Sequence, residues 1–128
     1  METLNILSLN AKGLNTPEKM KILLHDLQRF RIDVAFIQET HFRDDKVPIL
    51  KSKSYPTVYH STNQIAKSRG VSILLAGRVP WKYIESKRDT TGLFLFVKGE
   101  IGNIRVTLAT LYAPNDHQEF FLARRLSA

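Results

Sequence analysis

The chain has 128 residues, 43% of them hydrophobic and 24% charged, with no cysteine; that length carries one domain with its own core, and the missing thiols exclude disulfides and thiolate zinc sites. Nineteen Lys and Arg against twelve Asp and Glu leave a net charge of +7, which favours polyanionic partners but equally suits a basic, solvated surface. No apolar run approaches the roughly 20 residues that span a bilayer, and the first residues lack the pattern of a secretory signal, so an intracellular protein without a membrane segment is expected.

In chain order, residues 4–10 read as a buried strand, with Leu4, Ile6, Leu7 and Leu9 as its apolar bulk. Lys12-Gly13-Leu14-Asn15 reads as a turn, Thr16 as a helix N-cap and Pro17 as the first helical residue. Met20, Leu23, Leu24, Leu27 and Phe30 recur at helical spacing, which predicts an amphipathic helix over 17–30. A second apolar strand over 33–38 completes a βαβ unit. Residues 40–56, broken by Pro48 and Pro56, form a long polar loop, and 58–60 a brief strand. Residues 61–69 form a basic loop, followed by strands at 70–76, 81–86, 92–98 and 104–112. The stretch 99–103 fits a hairpin connection. A final helix over 116–126 has Asp116 at its start and Arg124 and Arg125 at its end, as the helix dipole favours. One βαβ unit, a mostly antiparallel run and a helix give an α+β pattern.

Three strands end in polar groups. Glu39 follows Val34-Ala35-Phe36-Ile37-Gln38, and a carboxylate at the carboxyl end of a buried strand sits where open sheets bind ligands. Magnesium often takes only one or two protein carboxylates, with water and phosphate completing its shell. Asn10 ends the first strand and would lie on the same sheet edge, where its amide can contact a phosphate oxygen; the same residue suits a plain turn. Tyr112 and Asn115 flank Ala113-Pro114 and can donate hydrogen bonds to a phosphoryl oxygen, although Asn115 also suits a helix N-cap. His41 is a candidate contact to DNA or to a metal-bound water, and Lys12, Lys67, Arg69, Lys87 and Arg88 are candidate phosphate contacts; each also reads as an ordinary solvated loop residue.

Taken together, Leu9-Asn10, Ile37-Gln38-Glu39-Thr40-His41 and Leu111-Tyr112-Ala113-Pro114-Asn115 resemble the endonuclease/exonuclease/phosphatase superfamily in order and spacing. Within it, the chain is most similar to the endonuclease of LINE-type non-LTR retrotransposons, through Ser8-Leu9-Asn10-Ala11-Lys12-Gly13-Leu14-Asn15, Gly70-Val71-Ser72-Ile73-Leu74 and Val97-Lys98-Gly99. The resemblance implies a DNase I-like two-sheet sandwich with outer helices, and a nuclease that nicks DNA with Mg2+ or another divalent cation such as Mn2+. It makes Glu39 the metal ligand, Asn10 an active-site amide beside it and Tyr112 a group on the scissile phosphate. Asn115, Lys12, His41 and Arg88 would contact DNA, and the setting would be intracellular and nuclear.

Family members are considerably longer, and their later motifs (an Asp-x-Asn pair, a further Asp and a terminal Asp-His pair) have no counterpart at the expected place. Asp116-His117 comes too early to be that last pair. Residues 1–128 therefore read as the amino-terminal part of one domain whose carboxyl-terminal part is absent. The expected partners are DNA and either the missing half or a second copy of the chain. In the complete fold the first half is expected to build mainly one sheet. Two other readings stand beside this one: a phosphatase-type relative in the same superfamily, and a nucleic-acid-binding remnant without catalysis.

Overall fold

The computed structural model describes residues 3–42, 50–63 and 68–112. The first strand, β1 (Ile6–Asn10), leads into helix α1 (Pro17–Arg29) and then β2 (Val34–Gln38). Thr16 caps the helix by accepting from the Lys19 amide at 3.3 Å, Pro17 occupies the first turn, and Leu23 and Leu27 join the buried core. This is the expected strand-helix-strand unit, with β1 and β2 parallel and Asn10 paired with Gln38. The chain continues through β3 (Thr57–Ser61) and β4 (Val71–Leu75), which complete a four-stranded sheet in the order β1-β2-β4-β3.

Strands β5 (Trp81–Arg88), β6 (Phe94–Ile101) and β7 (Ile104–Leu111) form a separate antiparallel sheet of three. The hairpin between β6 and β7 is tighter than the expected 99–103 connection, because Ile101 pairs directly with Ile104. Gly99 instead belongs to β6, where a side chain would collide with the Trp81 ring. The indole of Trp81 donates to the Tyr59 hydroxyl at 2.9 Å, and Tyr59 stacks on Tyr83 at 5.7 Å, which joins the two sheets along one flank.

Between the sheets lies a continuous apolar core. All five residues of β4 are buried, as are Leu95 and Val97 of β6. This corrects the expectation that the first half builds mainly one sheet: the chain supplies strands to both, and the facing sides of its central strands are covered. What it leaves open are the edges. Strand β1 was expected to be buried, yet Ile6 is 58% and Leu9 38% exposed, because among the described residues β1 pairs on one side only and no second strand continues the sheet beyond it. Strand β7 is likewise an edge, with Ile104 69% exposed. The two edges share a flank, since Gln38 beside β1 reaches Thr110 of β7 at 3.1 Å. Such edges present unpaired N–H and C=O groups, a template for further pairing. The helix expected over 116–126, together with Asn115, lies outside the described residues.

At the end where β1 and β2 begin, Asp33 organises the structure. Its carboxylate accepts from Arg78 Nε at 2.6 Å and from the Asn5 amide at 2.7 Å, while its carbonyl accepts from the Ala76 amide. The Tyr55 hydroxyl donates to the neighbouring Ile32 carbonyl at 2.7 Å.

Candidate active site

The opposite end carries Asn10, Lys12, Glu39, His41, Arg69 and Tyr112, all singled out from sequence. Backbone hydrogen bonds run across it from loop to loop. The Gly13 amide donates to Glu39 O at 2.7 Å and the Leu14 amide to Thr40 O at 3.0 Å. The Thr40 amide donates to Gly70 O at 3.1 Å, the His41 amide to Arg69 O at 2.8 Å and the Gly70 amide to Gly92 O at 3.0 Å. On the second sheet, the Tyr112 amide donates to Leu93 O at 2.7 Å. Between the sheets, Gln38 Nε2 bridges Ser8 Oγ and Thr110 Oγ1, each at 3.1 Å. Asn10, Glu39 and Tyr112 thus emerge at one end of the sandwich, from β1, β2 and the end of β7.

The backbone at this end departs from ordinary geometry. Of five described non-glycine residues with positive φ, four lie here: Lys12 at 52°, Glu39 at 54°, His41 at 63° and Arg69 at 60°. Left-handed backbone at such residues costs of order 1–3 kcal/mol each and persists only where surrounding contacts over-determine it. At Glu39 it ends the in-out alternation of β2, so the carboxylate no longer follows the strand's pleat. Gly70, with φ +92°, packs so closely on Thr40 that any side chain would strike the Thr40 hydroxyl. That hydroxyl is buried and has no hydrogen-bond partner among the described residues.

The individual side chains divide by what already occupies them. Asn10 Oδ1 accepts from the Lys12 amide at 3.0 Å, a local turn that fixes the side chain while leaving its amide nitrogen to donate elsewhere. Among the described residues no hydrogen bond or ion pair engages the half-buried Glu39 carboxylate. Tyr112 is half-buried against the core. Lys12 is exposed, and His41 is half-buried with its ring against Gly13. Arg88 is exposed and donates to the His60 carbonyl at 3.3 Å, so part of its guanidinium serves the fold. Arg69 is half-buried and Lys87 exposed; Lys67 and Asn115 lie outside the described residues.

A divalent cation fits this donor set in one form only. Among the described residues no three His, Cys, Asp or Glu side chains gather as a metal-holding group. The described residues therefore do not by themselves build a closed, all-protein site. One free carboxylate beside an amide suits Mg2+, which keeps several waters and completes its shell with substrate phosphate.

Several residues that shape this end were not singled out from sequence. Gln38 bridges the sheets, although its place inside the Ile37-Gln38-Glu39 motif was a signal. Asp89 gathers hydrogen bonds from five donor groups around the β5–β6 connection. His60, on β3, contacts Ser72 Oγ through Nδ1 at 2.7 Å and meets the edge of Phe42 at 5.7 Å. Burial, and then the positive charge of Arg88, push its pKa down to about 4, so the ring is neutral at neutral pH. A shallow groove on the outer face of the three-stranded sheet, lined by Glu85, Lys87, Phe96, Lys98 and Thr107, contains none of the residues of the convergent end.

With this geometry in place, comparison with known proteins defines the class. The chain belongs to the Endonuclease/Exonuclease/phosphatase family, which it matches over residues 3–125. Solved structures share its fold. The Xenopus laevis APE2 catalytic domain superposes with a TM-score of 0.67 at 14% identity, over 93% of this chain and 49% of that one. Truncated Caenorhabditis elegans TDP2 gives 0.66 at 22% identity, over 94% and 51%. An AP endonuclease from Archaeoglobus fulgidus gives 0.62 at 17% identity, over 97% and 48%. The two packed sheets are thus a DNase I-like sandwich, as expected, and the chain spans about half the length of the solved structures it matches.

Proposed function

We propose that this chain is the amino-terminal half of a divalent-metal-dependent DNA endonuclease, of the kind found in LINE-type non-LTR retrotransposons, acting in the nucleus. The observation that carries the reading is the convergence of Asn10, Glu39 and Tyr112 on one end of the sandwich, amid loops tied by backbone hydrogen bonds. A DNA substrate is supported by the net charge of +7 and by likeness to a structure named as an AP endonuclease. The closer assignment rests on the residue segments 8–15, 70–74 and 97–99.

In this reading Glu39 holds Mg2+ or Mn2+, with Asn10 beside it. The bound ion would neutralise charge on the phosphoryl oxygens and lower the pKa of a coordinated water. The Tyr112 phenol donates a hydrogen bond to a phosphoryl oxygen, where charge builds in the transition state. The Asn10 amide, its oxygen fixed by Lys12, donates to the same phosphate. Lys12, His41, Arg69 and Arg88 attract the flanking backbone, with Asn115 as a further contact. The histidine and acidic groups that complete such a site come from a carboxyl-terminal half adding to the open β1 and β7 edges; without it, those edges favour self-association.

The test measures DNA binding by fluorescence anisotropy with and without Mg2+, alongside nicking of supercoiled plasmid. The expected result is Mg2+-strengthened binding that Glu39→Gln abolishes, with little or no nicking by the chain alone. Substantial nicking abolished by Glu39→Ala would overturn the incompleteness of the site. Salt-sensitive DNA binding indifferent to Mg2+ and to Glu39 would favour a non-catalytic nucleic-acid-binding remnant. The net charge and the lack of a multi-residue metal cluster among the described residues also suit that second reading.

A further inference from the structure

We infer that Asp89 is the positioning residue of this site, and that its carboxylate sets Glu39 and Tyr112 in their relative places although it touches neither. The inference rests on the proposed function for what the site does, and on the geometry for how it is held.

Asp89 lies just past β5, in the connection to β6. Its Oδ1 accepts from the Leu93 amide at 2.9 Å, the Phe94 amide at 3.0 Å and Ser61 Oγ at 3.0 Å. Its Oδ2 accepts from the Thr91 amide at 3.2 Å, from the Leu93 amide at 3.1 Å and from the Thr91 hydroxyl. Three backbone amides and two hydroxyls thus close around one carboxylate, and among the described residues no cation forms an ion pair with it. Ser61 ends β3 in the four-stranded sheet, whereas Asp89 belongs to the three-stranded one. The carboxylate therefore ties the two sheets together at the end that carries the site.

Two arms lead from the loop it shapes. Gly92 O accepts from the Gly70 amide, and Gly70 O accepts from the Thr40 amide, the residue after Glu39. Leu93 O accepts from the Tyr112 amide. One arm ends at the backbone of Thr40, next to Glu39 on the first sheet, and the other at the backbone of Tyr112 at the end of the second. Asp89 is the side chain whose hydrogen bonds fix Thr91 and Leu93, which hold Gly92 between them, and the two arms extend from Gly92 and Leu93. A hydrogen-bonded charge in that place gives rigidity without occupying the surface where substrate sits.

The test compares wild type, Asp89→Asn, Thr91→Val and Thr91→Ser, each as the full chain. It measures amide hydrogen exchange residue by residue and Mn2+ affinity by titration. Asp89→Asn puts an NH2 against N–H donors while keeping the shape. It should speed exchange at Gly70 and Tyr112 at least about tenfold, leave Leu95 and Val97 unchanged, and weaken Mn2+ binding several-fold. Thr91→Val should do the same to a smaller extent, and Thr91→Ser, which keeps the hydroxyl, should restore wild-type values. Unchanged exchange at Gly70 and Tyr112 overturns the inference. So does equal acceleration throughout the core, or local acceleration with unchanged Mn2+ affinity. If Asp89→Asn fails to fold, the Thr91 pair decides by the same criteria. If wild type binds no Mn2+, the proposed function falls and the exchange comparison alone decides on Asp89.

Discussion

The two ends of the sandwich are each built around an aspartate, and they differ in how the charge of that aspartate is met. At the end where β1 and β2 begin, Asp33 is 4% exposed and its charge is met by Arg78 at 2.6 Å. At the other end, Asp89 is only half-buried, and among the described residues its charge is met by hydrogen-bond donors and no cation. Partial burial by itself would raise its pKa, but the bonds from Thr91, Phe94, Ser61 and Leu93 outweigh that and hold it below the ordinary aspartate value. The first end uses an ion pair and carries one left-handed non-glycine residue, Arg31 at 53°. The second carries four left-handed non-glycine residues and a carboxylate, Glu39, that no described residue engages. Strain and uncompensated polar groups thus concentrate at the end where the site is proposed.

Acidification should expose that difference most strongly. His60 sits in the half of the first sheet nearer the site, and its folded-state pKa of about 4 lies below the ordinary 6.5. The unfolded chain therefore takes up a proton before the folded one does. Stability is complete above pH 6.5 and declines as pH falls toward about 4, by about 3 kcal/mol in all. The Asp89 contribution is lost only at still lower pH, as its depressed pKa is crossed. Urea denaturation from pH 7 downward should show the first decline, and His60→Gln should flatten it.

Asp33→Ala should cost about 2–3 kcal/mol in the same measurement, somewhat under the usual cost of breaking a buried pair because Arg78 is partly solvated. A loss below about 0.5 kcal/mol, the level of an ordinary surface change, would show that Asp33 does not anchor its end. Gly70→Ala should cost about 1–2 kcal/mol, since it combines a left-handed backbone with a collision at Thr40. Its effect should concentrate in the amide shifts of Thr40 and His41 rather than near Asp33. Glu39→Gln should change stability by less than about 0.5 kcal/mol, because no described residue bonds its carboxylate. A large loss there would make Glu39 a structural residue.

Much of this fold could be read from the chain. The helical spacing from Met20 to Leu27, with Thr16 and Pro17 at its head, located α1 to within a residue of its end. The paired apolar runs gave β6 and β7. Apolar density cannot distinguish an edge strand from a central one, so Ile6 and Leu9 read as buried when they flank an open edge. Gly99 read as a turn because glycine is ordinarily turn chemistry; the space is in fact taken by Trp81, eighteen positions away, which no local pattern reveals. At the proposed site, Asn10, Glu39 and Tyr112 stood out in the sequence because each ends an apolar run. The hydrogen-bond cluster of Asp89 did not, since a carboxylate before Thr-Thr-Gly looks like any polar turn until its donors are folded around it.

The claim that most needs testing is that one divalent ion binds between the strand ends carrying Asn10, Glu39 and Tyr112. Paramagnetic broadening of amide resonances by substoichiometric Mn2+ tests it directly. The expected result is selective loss of signal from Ala11, Glu39, Thr40 and Tyr112, none near Asp33 and Arg78, and recovery of those signals in Glu39→Ala. Broadening scattered over surface carboxylates, or unchanged in Glu39→Ala, would contradict the account.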